Sequence, residues 1–150
     1  MDATLNREHV GVGLIAPEHL GEVWERVAPW IRQAFDACPR LRPSLAAARS
    51  RLRRRRWGLL VGAIGDRLVT AVVLEYVELR GERILAVVAA GGERGETLRY
   101  TGPVLWRAIQ FIARGLGADS IRVTGRLGWL RWIRGRGKVR EVCVDYEVRG

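Results

Sequence analysis

Apolar residues along this chain recur with two periods, in alternating blocks. Residues 10–15, Val-Gly-Val-Gly-Leu-Ile, read as a short first strand interrupted by glycine. Pro17 follows where a helix would begin, because its fixed φ and missing N–H suit a first turn. Leu20, Val23, Trp24, Val27, Trp30, Ile31, Ala34 and Phe35 then fall three and four apart, an apolar stripe on one helical face. Pro29 inside the stripe predicts a kink or a split into two helices, and Cys38-Pro39 predicts an end. A shorter helix is expected over residues 43–56, with Leu45, Ala48 and Leu52 inside. Arg49, Arg51, Arg53, Arg54, Arg55 and Arg56 fall mostly outside, as a solvated face.

The period then changes. Residues 57–64, 68–79 and 83–90 are apolar runs separated by Gly65-Asp66 and Arg80-Gly81-Glu82, which predicts an antiparallel meander. Runs such as Leu-Val-Thr-Ala-Val-Val-Leu lack strict alternation, as expected of a sheet covered on both faces. A glycine-rich loop, Gly91-Gly92-Glu-Arg-Gly95, leads to Thr101 as N-cap and Pro103 in the first turn of a helix to about Leu116. Leu105, Ile109, Ile112 and Leu116 form its central stripe, widened by Trp106, Ala108, Phe111 and Ala113. Residues 120–124 read as a strand, 129–134 as a helical turn or two, and 140–148 as a final strand. A helix between the strands at 84–90 and 121–124 makes a crossover and sets them parallel. The pattern predicts one α/β (α+β) domain over residues 1–150. Its mixed central sheet combines an antiparallel meander with a βαβ crossover, and helices lie on both faces.

Composition narrows the class. At 150 residues, with 48% hydrophobic and 28% charged residues, the chain can bury a core without staples and is not a disordered segment. Cys38 and Cys143 sit far apart with no CxxC around them, so buried reduced thiols are expected. His9 and His19 are isolated, and no metal site is expected. The first eight residues carry no secretion signal, and the apolar runs at 68–74 and 84–90 are too short to span a membrane. The protein is expected to be made in, or packaged from, cytoplasm.

The net charge is +10, from 26 basic residues among which Lys138 is the only lysine. Arginine suits bidentate phosphate or carboxylate contacts, so an anionic partner is one source of that bias. Codon usage in a GC-rich genome is the other, favoured by the even spread of arginine along the chain. Arg51, Arg54 and Arg55 are the candidate anion-binding residues.

Residues Val123-Thr-Gly-Arg-Leu-Gly-Trp129 lie between a predicted strand and an Arg-rich helical turn. Gly125, Arg126, Gly128 and Trp129 resemble the GRxGW signature of phage-encoded proteins with an acetyltransferase-like (GNAT) fold. The resemblance implies a GNAT-like single domain, whose two central parallel strands splay to admit acetyl-CoA. It also implies one of two roles, N-acetyltransferase or part of a virion. Bottom-up, Gly125 and Gly128 allow close backbone approach after a central strand, Trp129 covers the core, and Arg126 bonds carbonyls or a carboxylate. The same four residues are the candidate interaction segment.

Active members of the fold carry an Arg/Gln-x-x-Gly-x-Gly/Ala loop before the long helix. The stretch from Ala90 to Pro103 matches it in no register, leaving Arg94, Gly95 and Arg99 as the cofactor candidates. Glu93 and Glu96 add negative charge where a pyrophosphate would rest, and Pro103 removes one amide. Glu75, Glu78 and Tyr146 have the chemistry of an acid or base, and none is assigned catalysis. The leading expectation is therefore a virion-associated structural or assembly protein without acetyltransferase activity and without a cofactor. It would be present in several copies per particle, bound to other virion proteins at the tail or inside the head. It would be made in host bacterial cytoplasm. The first alternative is an N-acetyltransferase using acetyl-CoA. The second is a basic accessory protein that binds nucleic acid non-specifically, through residues 49–56 and 131–140.

Overall fold

The computed structural model describes residues 9–37, 43–93 and 97–123, and their side chains except those of residues 37 and 97–99. Among the described residues five strands, β1 (Val10–Ile15), β2 (Gly58–Ile64), β3 (Arg67–Leu79), β4 (Glu82–Gly92) and β5 (Ser120–Val123), form one sheet in sequence order. The first four pair antiparallel, and β4 pairs with β5 in parallel. Among the described residues three α-helices connect them: α1 (Leu20–Ala37), α2 (Leu45–Arg53) and α3 (Thr97–Leu116). The described part thus has the expected mixed sheet, meander and crossover. The predicted turn at 129–134 and strand at 140–148 lie outside the described residues.

Each hairpin turn follows from local chemistry. Gly65, at φ 61, opens the two-residue connection between Ile64 and Arg67. Arg80 (φ 53) and Gly81 (φ 82) are both left-handed between Leu79 and Glu82, the backbone of a type I′ turn. A β-carbon at φ > 0 is strained, and asparagine tolerates it better than arginine. Arg80→Asn is expected to stabilise the protein by about 0.5–1 kcal/mol and raise Tm by roughly 2 °C. Thermal melts check this, and a lower Tm would refute the turn assignment.

The sheet is covered on both faces because alternate residues feed two cores. Leu59, Val61, Ala71, Val73 and Ala89 pack with Val27, Trp30, Ile31 and Phe35 of α1 and Ala48 and Leu52 of α2. Leu60, Val72, Leu74, Leu85 and Val87 pack against Leu105, Ile109 and Ala113 of α3. A register shift opposite Val73 and Leu74 leaves Val88 as an extra residue of β4, so Val88 and Ala89 share the α1 face.

Four expectations need correction. Of the kink or split expected at Pro29, the split does not occur, since α1 runs unbroken from Leu20 to Ala37. The proline is on the exposed side, where water can satisfy the carbonyl it leaves unbonded. The helix expected over 43–56 spans only Leu45–Arg53. Ser44 caps it by accepting from the Ala47 N–H at 3.1 Å, and a left-handed Arg55 ends it. Helix α3 starts at Thr97, so Thr101 is a fully buried interior residue and Pro103 lies in the second turn. Phe111 and Leu116 are 74% and 45% exposed. Phe111 lies about 120° around the helix from Leu105, and Leu116 stands at the helix end, beyond its sheet-covered turns.

Candidate functional site

The carboxyl end of β4 and the amino end of α3 meet at one end of the sheet. Gly91 and Gly92, expected in a loop, are the last residues of β4. A β-carbon on Gly91 would lie 2.7 Å from the Trp30 carbonyl oxygen, and one on Gly92 would lie 2.4 Å from that of Val69. Glycine is needed here so that α1 and β3 can approach β4, which no local pattern announces. Gly62 plays the matching part on β2, since its β-carbon would meet Thr70 Oγ1 at 2.4 Å and Thr101 of α3 at 3.4 Å.

Glu93 follows, with its amide donating to the Val69 carbonyl at 2.8 Å. Its carboxylate accepts a short hydrogen bond from Arg26 Nη2, with Arg67 Nη1 at 3.4 Å. Arg26 also donates to the Leu68 carbonyl and lies 4.8 Å over the Trp30 ring. Two guanidinium groups therefore offset the charge expected to repel a pyrophosphate here. Pro103, six residues into α3, is too late to remove a first-turn amide. Neither the Glu93 charge nor Pro103 therefore disfavours an anion at this end. Arg94, Gly95 and Glu96 lie outside the described residues, and Arg99 is placed in the first turn of α3 by its backbone alone.

Residues 84–87 of β4 pair with residues 120–123 of β5, and β4 continues past them to Gly92. The start of β5 is latched by Asp119, whose carboxylate accepts from the Arg83 amide at 2.9 Å and whose amide donates to the Arg83 carbonyl at 2.7 Å. Parallel strands joined by a helix place ligands outside their carboxyl ends, where helix amides and the positive dipole end favour anions.

The candidate acid and base residues separate. Glu75 is half-buried on the α1–α2 side of β3, where its Oε2 accepts a short hydrogen bond from Trp57 Nε1. Trp57, 5% exposed, packs at 6.3 Å from the Phe35 ring and beneath the Arg51 guanidinium at 4.8 Å. Glu75 pairs across to Ala86, so strand spacing sets it roughly 8 Å from the bulge at Val88. Glu78, three residues on, faces the other side of the sheet, exposed and paired across to Arg83. Tyr146 lies outside the described residues. Trp57, expected only as the start of a strand, carries one signal in the sequence, an isolated large aromatic next to an arginine run.

That run is mostly exposed, as expected, and two of its arginines also cover tryptophan rings. Arg51 covers Trp57, Arg49 lies 5.5 Å over Trp24, Arg54 caps α2, and Arg55 occupies the left-handed position after it. Arg51, Arg54 and Arg55 are all exposed. Gly125, Arg126, Gly128 and Trp129 lie outside the described residues. Among the described residues no three His, Cys, Asp or Glu side chains are placed to hold a metal, and no helix is long and apolar enough to cross a membrane.

No sequence family and no curated protein matches this chain. Solved structures do. An aminoglycoside acetyltransferase from an uncultured soil metagenomic sample, in complex with sisomicin, superposes with TM-score 0.69 at 11% identity, over 95% of this chain and 98% of that one. A ribosomal-protein-alanine N-acetyltransferase from Brucella melitensis biovar Abortus 2308 gives 0.64 at 15% identity, over 94% and 99%. A predicted acetyltransferase from Clostridium acetobutylicum, solved with acetyl-CoA, gives 0.65 at 8% identity, over 88% and 91%. The fold is that of the GNAT acetyltransferases.

Proposed function

We propose that this chain is an N-acetyltransferase that moves an acetyl group from acetyl-CoA to an amine. The observation that carries this is the β4–α3–β5 unit. The amino end of α3 follows the carboxyl end of parallel β4, and the intervening Glu93 is already held by Arg26 and Arg67. The whole-length likeness to solved acetyltransferases supports the same choice. Residues 88–92 of β4 and the first-turn amides of α3 would hold the cofactor by backbone contacts, which require no particular side chain. Acetyl-CoA supplies the activated thioester.

Glu75 is the residue we assign to the amine. A protonated amine cannot attack, so a carboxylate beside it serves first as counter-ion and then as proton acceptor. Trp57 Nε1 occupies one oxygen of Glu75 and fixes the carboxylate plane, leaving Oε1 to face the amine. This inverts the order of the sequence expectations. A virion-associated role without catalysis remains the second reading, supported by the resemblance of Gly125, Arg126, Gly128 and Trp129. It would bring virion partners and localisation with it.

Calorimetry with acetyl-CoA separates the two. We expect a micromolar Kd, about −8 kcal/mol, and release of free thiol when peptide amino termini or polyamines are added. Folded protein that shows no heat at millimolar acetyl-CoA would sink the enzyme and leave the virion role standing.

A further inference from the structure

The end of the sheet away from the amino terminus of α3 carries a second feature, whose lining includes Trp57 beside Glu75. A half-open cleft of about 440 Å³ lies there, at the carboxyl end of α3. Leu59, Leu74 and Leu85 of the sheet, Ile112 and Leu116 of α3, and Leu14 of β1 form its apolar walls. Leu14 and Leu116 are 58% and 45% exposed, so its mouth presents hydrocarbon to water. Among the described residues the charged ones lining it are two neighbours, Arg55 and Arg56, both exposed. Such a volume, apolar with a few polar groups at one side, has the dimensions of a small-molecule site.

The backbone at Arg55 adds an independent observation. Helices α2 and α3 end in the same hydrogen-bonded motif. In α3 the Ala118 N–H reaches the Ala113 carbonyl at 2.9 Å and the Gly117 N–H that of Arg114 at 3.1 Å. In α2 the Arg56 N–H reaches Arg51 at 3.0 Å and the Arg55 N–H that of Leu52 at 3.3 Å. The left-handed residue is Gly117 in α3, at φ 69, and Arg55 in α2, at φ 60. Glycine is the favoured residue at that position, because a β-carbon there is strained. An arginine held against that preference, beside an apolar cleft, is strain retained where it positions a side chain.

We propose that the cleft binds a fatty acid, with the tail among the leucines and the carboxylate on Arg55 and Arg56. Adjacent guanidinium groups suit a carboxylate, which each can hold by paired N–H donors. The Ala113 and Arg114 carbonyls at the end of α3 accept from Ala118 and Gly117, and the two guanidinium groups supply the attraction that the carboxyl end of a helix does not offer an anion. A cationic or neutral amphiphile would gain the same apolar contact without the head-group contact.

Titration of the full chain with dodecanoate, dodecanol and dodecyltrimethylammonium, below their micelle concentrations, tests this by calorimetry and tryptophan fluorescence. We expect saturable one-to-one binding of dodecanoate, with the cation at least about tenfold weaker. Arg55→Gly should melt about 2–4 °C higher, because the strain is relieved, and bind dodecanoate about tenfold more weakly. Leu116→Glu, at an exposed position, should fold normally and lose the ligand. Equal binding of dodecanoate and the cation, or several molecules per chain, would overturn the site. So would an Arg55→Gly variant that keeps full affinity or melts lower, since Arg55 would then be serving the fold. Capture of an acidic apolar peptide without dodecanoate binding would overturn it as well.

Discussion

Glu75→Gln is expected to lower kcat for acetyl transfer by about 10²- to 10⁴-fold, the usual contribution of a positioned proton acceptor. Glutamine is close in shape, and its amide oxygen can still accept from Trp57 Nε1, so the variant should melt like the parent. Binding of acetyl-CoA should be unchanged, because the cofactor is assigned to the β4 edge and the α3 amides rather than to Glu75. The split between kinetic constants is informative. Loss of a proton acceptor lowers kcat, whereas loss of a mere counter-ion raises KM. Glu78→Gln, on the opposite face, should leave both constants alone. A Glu75→Gln enzyme as fast as the parent would remove Glu75 from the chemistry and reduce the Trp57 contact to a structural one.

The second large effect concerns Trp57 itself. Trp57→Ala should destabilise the protein by about 3–5 kcal/mol, as truncation of buried aromatics does. For a typical domain total of about 5–15 kcal/mol that is a large share. A fall in Tm of roughly 6–20 °C follows for a chain of this size. Three losses combine: the ring contact with Phe35, the surface under Arg51, and the donor to Glu75. Trp57→Phe isolates the last of them. It keeps an aromatic side chain in the core and removes the N–H, so its cost should be only about 1–2 kcal/mol, Glu75 being half-buried and open to water. Thermal melts read the stability of both variants, and kcat reads the positioning. If Trp57→Phe transfers acetyl as fast as the parent, the indole does not orient the carboxylate.

Much of the architecture was legible because periodicity is a local property. A helix such as α1 buries what recurs every three or four residues, and β2 and β3 bury both sets of alternate residues because helices lie on each face. The two hairpins were equally readable, since Gly65-Asp66 and Arg80-Gly81 carry the turn conformations in their own backbones. Local rules misplaced the start of α3, where Thr101 and Pro103 gave a plausible but false first turn. They also misassigned Gly91-Gly92, since glycine has low intrinsic strand preference and is tolerated there because α1 comes so close.

The sequence by itself determined the two-faced apolar pattern, the strand and helix order, and hence a mixed sheet with a helical crossover. Tertiary structure alone decided the electrostatics of the candidate site. Arg26 and Glu93 are 67 residues apart and Trp57 and Glu75 are 18 apart, yet each pair shares a hydrogen bond. A charge counted along the chain has no location until packing gives it partners. Glu93 looked repulsive to a phosphate in the sequence and is held by two arginines in the fold. Hydrophobic period is set by neighbours three or four residues away, whereas the state of an ionic group depends on whatever packing brings within a few ångströms.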